Sequence, residues 1–439
     1  MIRSVLLFSI LCIAGMSVAQ TSRQLKMLHD YASHERPPGY DSTLTDITFN
    51  RAGNLHYLYP IYQLFREEAK FRKIYSDSFY NDMMSQAVSF VEDYSSALEY
   101  EQLGYDATVD EVALRQINKI MDGMKNVQQV DARRYISFLA RNYRVIMINE
   151  AHEKSIHRAF VCTLLDDLYK KGYRYLAMEM LNNFADHRLD KLTPATGNFS
   201  AEPVAGELIR TALDIGYQLV SYEDTAADRH TATERDSIQA ANIYRIIRAD
   251  SSARVLVLGG YGHIAEKNIS PDYIPMGLAF KNMSGIDPLT IDQTNMTEGS
   301  NFAYGKAFYD AYIQKFPLTN PSVALSNDVP LNVTFNNLYD ITIIHPRTTF
   351  RDNRPTWLNL GGRRQSLYIK APQPNCFLVQ AYYQFESFGA RPGQVIPADQ
   401  TYVPTNQGKY LLYLKRGKYI IVFRDLGYKI LNTQHIEVN

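Results

Sequence analysis

From residue 143 onward, short apolar runs alternate with segments of helical spacing. Arg144–Asn149, Tyr173–Met180, Tyr217–Tyr222 and Arg254–Leu258 each have the length of a buried strand, and Pro288–Ile291 offers a fifth. Between them Lys154–Lys171, Pro203–Ile215, Ala232–Ala249 and Pro275–Ser284 repeat apolar positions at helical intervals, with Gly172 and Gly216 as stops. This alternation predicts an α/β fold: a mostly parallel sheet with helices on both faces.

The flanks read differently. Residues 20–135 are rich in helix-compatible runs such as Asp110–Met124 and Ala132–Arg141, after an irregular start at Pro37-Pro38-Gly39. Beyond about residue 360 the texture becomes β. Lys409–Leu414 and Lys418–Phe423 look like strands joined by a turn at Lys415-Arg416-Gly417, and turn-prone clusters stand at Ala390–Gly393 and Thr405–Gly408. The expected organisation is a helical region over 20–135, an α/β core over 136–360 and a small antiparallel β module, sheet on sheet, over 361–439.

Residues 1–19 read as a secretory signal. Arg3 supplies a positive start, Val5–Gly15 is almost wholly apolar, and Ser17-Val18-Ala19 places small residues before a cleavage point near Ala19. The run is shorter than the roughly 20 residues of a membrane span. Cys12 lacks the small residue expected just before a lipidated cysteine. The mature chain is therefore expected to be exported, periplasmic or secreted, with no membrane span. It keeps Cys162 and Cys376, whose spacing argues for no disulfide; two buried free thiols are expected.

Composition narrows the function classes. The 439 residues hold 46 basic and 46 acidic side chains, and a formal charge of zero leaves no electrostatic footprint for nucleic acid. The hydrophobic fraction of 46% belongs to a folded chain rather than a disordered one. Tyrosines number 32 beside a single tryptophan, Trp357, which favours aromatic surfaces with a polar handle.

Candidate chemistry follows from position. In a parallel sheet, loops and helix N-termini meet outside the C-terminal ends of the strands. Here the first strand runs into Glu150-Ala151-His152, the second into Glu179, the third into Glu223-Asp224, the fourth into Gly259-Gly260-Tyr261-Gly262-His263, and the fifth ends at Asp292. Glu150 and His152 face one cleft if the backbone stays extended. Glu179 interrupts an apolar run, where an ionised carboxylate costs several kcal/mol unless it is paired. His157 shares a helical stripe with Val161, Leu164, Leu165 and Leu168, so it points to the sheet either as a core histidine or as a neighbour of His152. Arg235 and Asp236 open a helix, with Glu234 and Asp236 placed to compensate its dipole and Arg235 placed to meet a buried carboxylate. The glycines from 259 to 262 do not have the spacing of a phosphate-binding loop.

The series Asn149-Glu150-Ala151-His152, His157, Ala177-Met178-Glu179-Met180, Glu234-Arg235-Asp236 and Gly259-Gly260-Tyr261-Gly262-His263 resembles the superfamily of erythromycin-esterase-like proteins, ChaN-like haem-binding uptake proteins and TraB/Tiki proteins. The resemblance covers about residues 140–295. It departs from the family at Asn149, where glycine is usual. It implies one site built from strand-end Glu and His residues: His152, Glu150, Glu179 and His263 as the catalytic set, with His157, Glu223, Asp224, Arg235 and Tyr261 toward the substrate.

Three functions stand open at this point. The first is a hydrolase that activates water against an ester or peptide bond, since no Gly-x-Ser-x-Gly nucleophile is present. The esterase branch implies metal-free chemistry. The Tiki branch implies a divalent metal, zinc or manganese, for which His152, Glu179 and His263 would suffice as three ligands. The second is capture of haem or iron, as the ChaN-like branch implies, with Tyr261 beside His263 the most suggestive ligand. The third is a scaffold whose acids and histidines satisfy one another while the β module makes protein contacts. The partners are accordingly a small-molecule or peptide substrate, and no nucleic acid.

Overall fold

The computed structural model describes residues 23–35, 50–51, 54–104, 109–182, 189, 191–197, 199–299, 303–331, 337–387 and 393–439. The expected signal over 1–19 and the break at 37–39 lie outside them. The chain forms two compact units: one of residues 1–104, 201–206 and 348–439, the other of residues 105–200 and 207–347.

The second unit carries a nine-stranded sheet. Its strands are β1 (Gln128–Asp131), β2 (Val145–Glu150), β3 (Tyr173–Met178), β4 (Gln218–Ser221), β5 (Arg254–Gly260), β6 (Leu289–Asp292), β7 (Ser322–Ser326), β8 (Val329–Pro330) and β9 (Ile341–Ile344). Their order is β8-β7-β9-β6-β2-β5-β3-β4, with β1 also on β7. From β9 to β4 every pairing is parallel, and the pairings of β7 are antiparallel. Both central strands, β2 and β5, are apolar because both of their faces are covered. Val145, Met147, Val255 and Val257 pack against Ile243, Ile247, Met276 and Phe280 from the helices α4 (Ala232–Ala249) and α5 (Met276–Ser284). The alternate residues Ile146, Ile148, Leu256 and Leu258 are buried just as fully. Each such aliphatic side chain contributes about 1.5–3 kcal/mol of burial.

The remaining helices of this unit are α1 (Glu111–Gly123), α2 (Ala132–Leu139), α3 (Ser155–Lys170) and α6 (Ala303–Lys315). Pro203–Ile215 is helical as expected. Helix α4 starts where it does because Thr231 and Glu234 form a reciprocal capping box. Helix α5 stops at Gly285, whose φ of 68° is the left-handed turn that glycine takes freely. No helix among the described residues is long and apolar enough to cross a membrane.

The first unit combines helices, among them Tyr59–Arg66 and Asp77–Phe90, with an antiparallel β module. Its strands are β10 (Gln365–Lys370), β11 (Leu378–Tyr383), β12 (Asp399–Thr401), β13 (Lys409–Leu414), β14 (Gly417–Arg424) and β15 (Ile430–Val438). One sheet is β10-β13 and the other β12-β11-β14-β15. Ile369, Leu412 and Leu414 of the first share a core with Val379, Ile421 and Phe423 of the second, so sheet lies on sheet as expected.

The strands on either side of Lys415-Arg416 do not pair with each other: β13 bonds β10, while β14 bonds β11 and β15. The turn at Gly417 (φ 151°) carries the chain from one sheet to the other. The N-terminal helices and the β module fall in one unit, whose boundaries lie at 104 and 348. Bonds between distant segments hold it: Gln400 Nε2 donates to Phe90 O at 2.7 Å, and Tyr402 Oη donates to Asp93 at 2.6 Å. Local hydrophobic pattern carries no trace of such pairings. Neither Cys162 nor Cys376 is in a disulfide; the first is buried and the second half-buried.

Candidate functional site

Parallel register brings the strand-end residues side by side. Glu150 at the end of β2 is aligned with Gly260 at the end of β5, and Glu179, just past β3, donates its backbone N–H to Leu258 O at 3.1 Å. The side chains of His152 and Glu179 then converge over Gly260. A Cβ placed on that glycine would lie 3.0 Å from His152 Nε2 and 2.9 Å from Glu179 Oε2, so the absent side chain is what lets them meet. The next residue, Tyr261, holds φ at 41°, a conformation that costs a non-glycine residue on the order of 1–3 kcal/mol. Its carbonyl is anchored by Asn149 Nδ2 at 2.9 Å.

Beneath His152 lies a buried ion pair. Arg158 donates from Nε and Nη2 to the two oxygens of Glu150, each at 3.0 Å, and the two side chains are 0% and 3% exposed. Burial works to raise the Glu150 carboxyl, but the Arg158 guanidinium and His152 outweigh it and hold it below its ordinary value. Arg158 also donates to His152 O at 2.9 Å. The His152 ring stacks on Phe199 with centroids 4.6 Å apart, meets Tyr261 edge-on, and turns Nδ1 toward Glu150 Oε1 at 3.6 Å.

On the other side Arg235 is shared by two carboxylates. Nη2 donates to Glu179 Oε1 at 2.7 Å, and Nε and Nη2 grip both oxygens of Glu223. The Glu223 bonds, with Glu179 beside them, raise the hold of Arg235 on its proton against its burial. Glu179 takes a further bond from Gly260 N–H. His263 sits alongside, with Nε2 3.7 Å from Glu179 Oε1 and 3.3 Å from Arg235 Nη1. Its Nδ1 lies 2.9 Å from Asp236 Oδ2, an oxygen that also accepts from Tyr273 Oη at 2.6 Å and Met276 N–H at 2.9 Å. Burial lowers His263, but Asp236 and Glu179 prevail, so its pKa is raised. The capping box of α4 fixes this geometry, because it delivers Arg235 and Asp236 in the first turn of the helix.

An open cavity of about 470 Å³ has His152, Glu179, Phe199, Glu223, Asp224 and Arg235 in its walls. Asp224 accepts from Ala226 N–H and pairs with His230 Nδ1 at 2.6 Å; that bond lowers Asp224 and raises His230. The arrangement offers a histidine backed by an ionised carboxylate, a fixed guanidinium, and a second histidine held by an aspartate. Such parts can move protons and stabilise a developing oxyanion.

The metal expectation does not fit this donor set. Among the described residues no group of three or more His, Cys, Asp and Glu side chains is arranged to hold a metal ion. Arg235 already supplies the positive charge between Glu179, Glu223 and His263, and a dication there would face its repulsion. Haem fits no better. The Tyr261 hydroxyl donates to Glu153 Oε2 at 2.6 Å, and Glu179, Glu223, Asp224 and Arg235 stand among the apolar residues of the cavity wall, where haem would need an uninterrupted apolar face.

The structure thus brings together His152, Glu150, Glu179, His263, Arg235, Glu223 and Asp224, with Tyr261 at the edge of His152. It removes His157. That side chain is 0% exposed, accepts the Ala151 N–H through Nδ1 at 3.0 Å and packs on His345; burial pushes its pKa well down. It is a core histidine, as its apolar stripe allowed. Asp292 is also buried, bonded to Asn149 Nδ2 and Thr294 rather than turned to the cavity. Sequence reasoning missed Arg158, Phe199 and Tyr273, and it read Asp236 as a dipole compensator. A lone arginine on the apolar face of α3, two turns after a strand-end glutamate, was the available signal for Arg158.

No family model matches the chain, and no curated protein matches it. Among solved structures it is similar to RRSP, a MARTX toxin effector domain from Vibrio vulnificus CMCP6. The identity is 13% and the TM-score 0.30, over 64% of this chain and 63% of that one. It is also similar to a structure described as "Bacterial protein toxins", at 13% identity and TM-score 0.29, over 65% of each chain. The chain spans slightly under two thirds of the length of both.

Proposed function

We propose that this chain is an exported hydrolase of the erythromycin-esterase, ChaN and Tiki type that activates water against an ester or peptide bond without a metal. The observation that carries the reading is the convergence of His152, Glu179 and Arg235 on one open cavity, His152 beside the buried Glu150 and Glu179 paired with Arg235. His152 takes a proton from water, and Glu150, ionised by Arg158, stabilises the imidazolium that forms. The hydroxide adds to the carbonyl carbon, while Arg235 faces the oxygen that becomes negative. The bond to the leaving oxygen or nitrogen then breaks, and His263 gives that atom a proton from Nε2 while Asp236 holds Nδ1. Water restores the proton to His263 as His152 loses its own. Acid–base help of this kind is worth about 10²–10⁴-fold.

The test is a panel of esters and peptides offered to the wild type, His152→Ala and Glu179→Gln. The reading expects turnover by the wild type, and a loss in Glu179→Gln far larger than its change in melting temperature. A collapse in melting temperature with turnover per folded molecule unchanged would make Glu179 a structural ion-pair partner and defeat the assignment.

A further inference from the structure

We infer that the cavity selects a cationic substrate, one that places an ammonium or guanidinium group among Glu179, Glu223 and Asp224 while its carbonyl faces His152. For the reaction this rests on the hydrolytic reading; for binding it rests on the charge and shape of the walls. Among the described residues, three carboxylates line the cavity against one guanidinium, Arg235. The acids outnumber Arg235 and His230, which is bonded to Asp224, by three to two. The pairs behind them, Glu150 with Arg158 and Asp236 with His263, cancel.

Arg235 has little to offer an incoming anion. Nε and Nη2 are taken by Glu223 and Glu179, and Nη1, with two N–H groups, stands 3.3 Å from His263 Nε2, so one N–H is left for the reacting oxygen. A carboxylate or phosphate entering the cavity would compete with two carboxylates already in place and meet a third at Asp224. A cation also meets the repulsion of Arg235, which already holds Glu179 and Glu223, but the acids around that guanidinium outnumber it. It finds partly exposed acid oxygens and the Phe199 ring in the same wall, and an aromatic face attracts positive charge. The substrate class is therefore a basic ester or amide, such as the acyl derivative of an arginine- or lysine-like group.

The experiment measures binding by calorimetry on the whole chain with three small probes that carry no hydrolysable bond at the site. Agmatine supplies a guanidinium, N-carbamoylputrescine replaces it with a neutral urea, and glutarate carries the opposite charge. Agmatine should bind about tenfold or more tighter than the urea and weaken as salt rises from about 50 to about 500 mM. Glutarate should not bind. Glu223→Gln and Asp224→Asn should each reduce the preference for agmatine over the urea by about three- to fivefold. Equal affinity for agmatine and the urea, tighter binding of glutarate, or no binding of agmatine would overturn the inference. The acetylated methyl esters of arginine, citrulline and glutamate separate it from the reaction itself. Hydrolysis without regard to charge sinks the selectivity and leaves the hydrolase; selective agmatine binding with no ester cleaved does the reverse.

Discussion

Arg235 Nη2 stands 2.7 Å from Glu179 Oε1, and the same guanidinium holds both oxygens of Glu223. One side chain from the first turn of a helix thus bridges acids from the ends of two strands and fixes a guanidinium in the cavity wall. Arg235→Met removes that charge and sets the two carboxylates against each other. Turnover should fall by about 10²–10³-fold, the scale of losing an oxyanion donor. Because Arg235 is partly exposed, the unfolding free energy should fall much less, and steady-state kinetics beside thermal melting separates the two effects.

The Glu150–Arg158 pair carries a larger structural penalty when broken. Arg158→Met leaves a carboxylate buried without its partner and should cost about 3–5 kcal/mol in denaturant unfolding. The double variant Glu150→Gln with Arg158→Met removes both charges and should recover much of that loss. A double variant no more stable than Arg158→Met would show that the pair does not act as a unit.

Two groups give opposite pH signatures. Glu150 is held below its ordinary 4.5, so its contribution to stability is complete above that value. It is lost as pH falls through the folded pKa. His263 is raised above its ordinary 6.5, so its contribution is complete below 6.5 and lost as pH rises through the folded pKa. Melting temperature against pH should flatten on the acid side in Glu150→Gln and on the neutral-to-alkaline side in Asp236→Asn. The His263 ring should titrate above 6.5 by NMR in the wild type and lower in Asp236→Asn.

Gly260→Ala tests the close approach directly. The added methyl would lie 2.7 Å from His152 Cε1 and 2.9 Å from Glu179 Oε2, so both side chains must swing away. Misplacement on that scale should cost about 10²-fold in turnover. The same variant should keep a near-native melting temperature, because the atoms displaced are side-chain ends at an open cavity.

Much of this was legible from the residues. Strand-end position placed Glu150, Glu179, Glu223 and His263 at one edge, because a parallel sheet has one such edge and hydrophobic runs locate its strands. What escaped was partner choice. His152 and His157 lie five apart, yet one borders the cavity and the other is buried against His345, since His152 stands in the loop before α3 and His157 on its buried face. Asp236 looked like a helix-start acid and is instead the buried anchor of His263, 27 positions away. Arg158 and Phe199 reach the site through tertiary packing that no local period encodes. The union of residues 1–104 with 348–439 was invisible for the same reason.

The most direct measurement is the turnover of an ester and peptide panel, with basic members included, by chelator-treated protein, wild type beside His152→Ala. The account predicts hydrolysis that is unchanged by chelation and falls by about 10²–10⁴-fold in the variant. Activity that vanishes on chelation and returns with zinc or manganese, or a His152→Ala protein as active as the wild type, would contradict it.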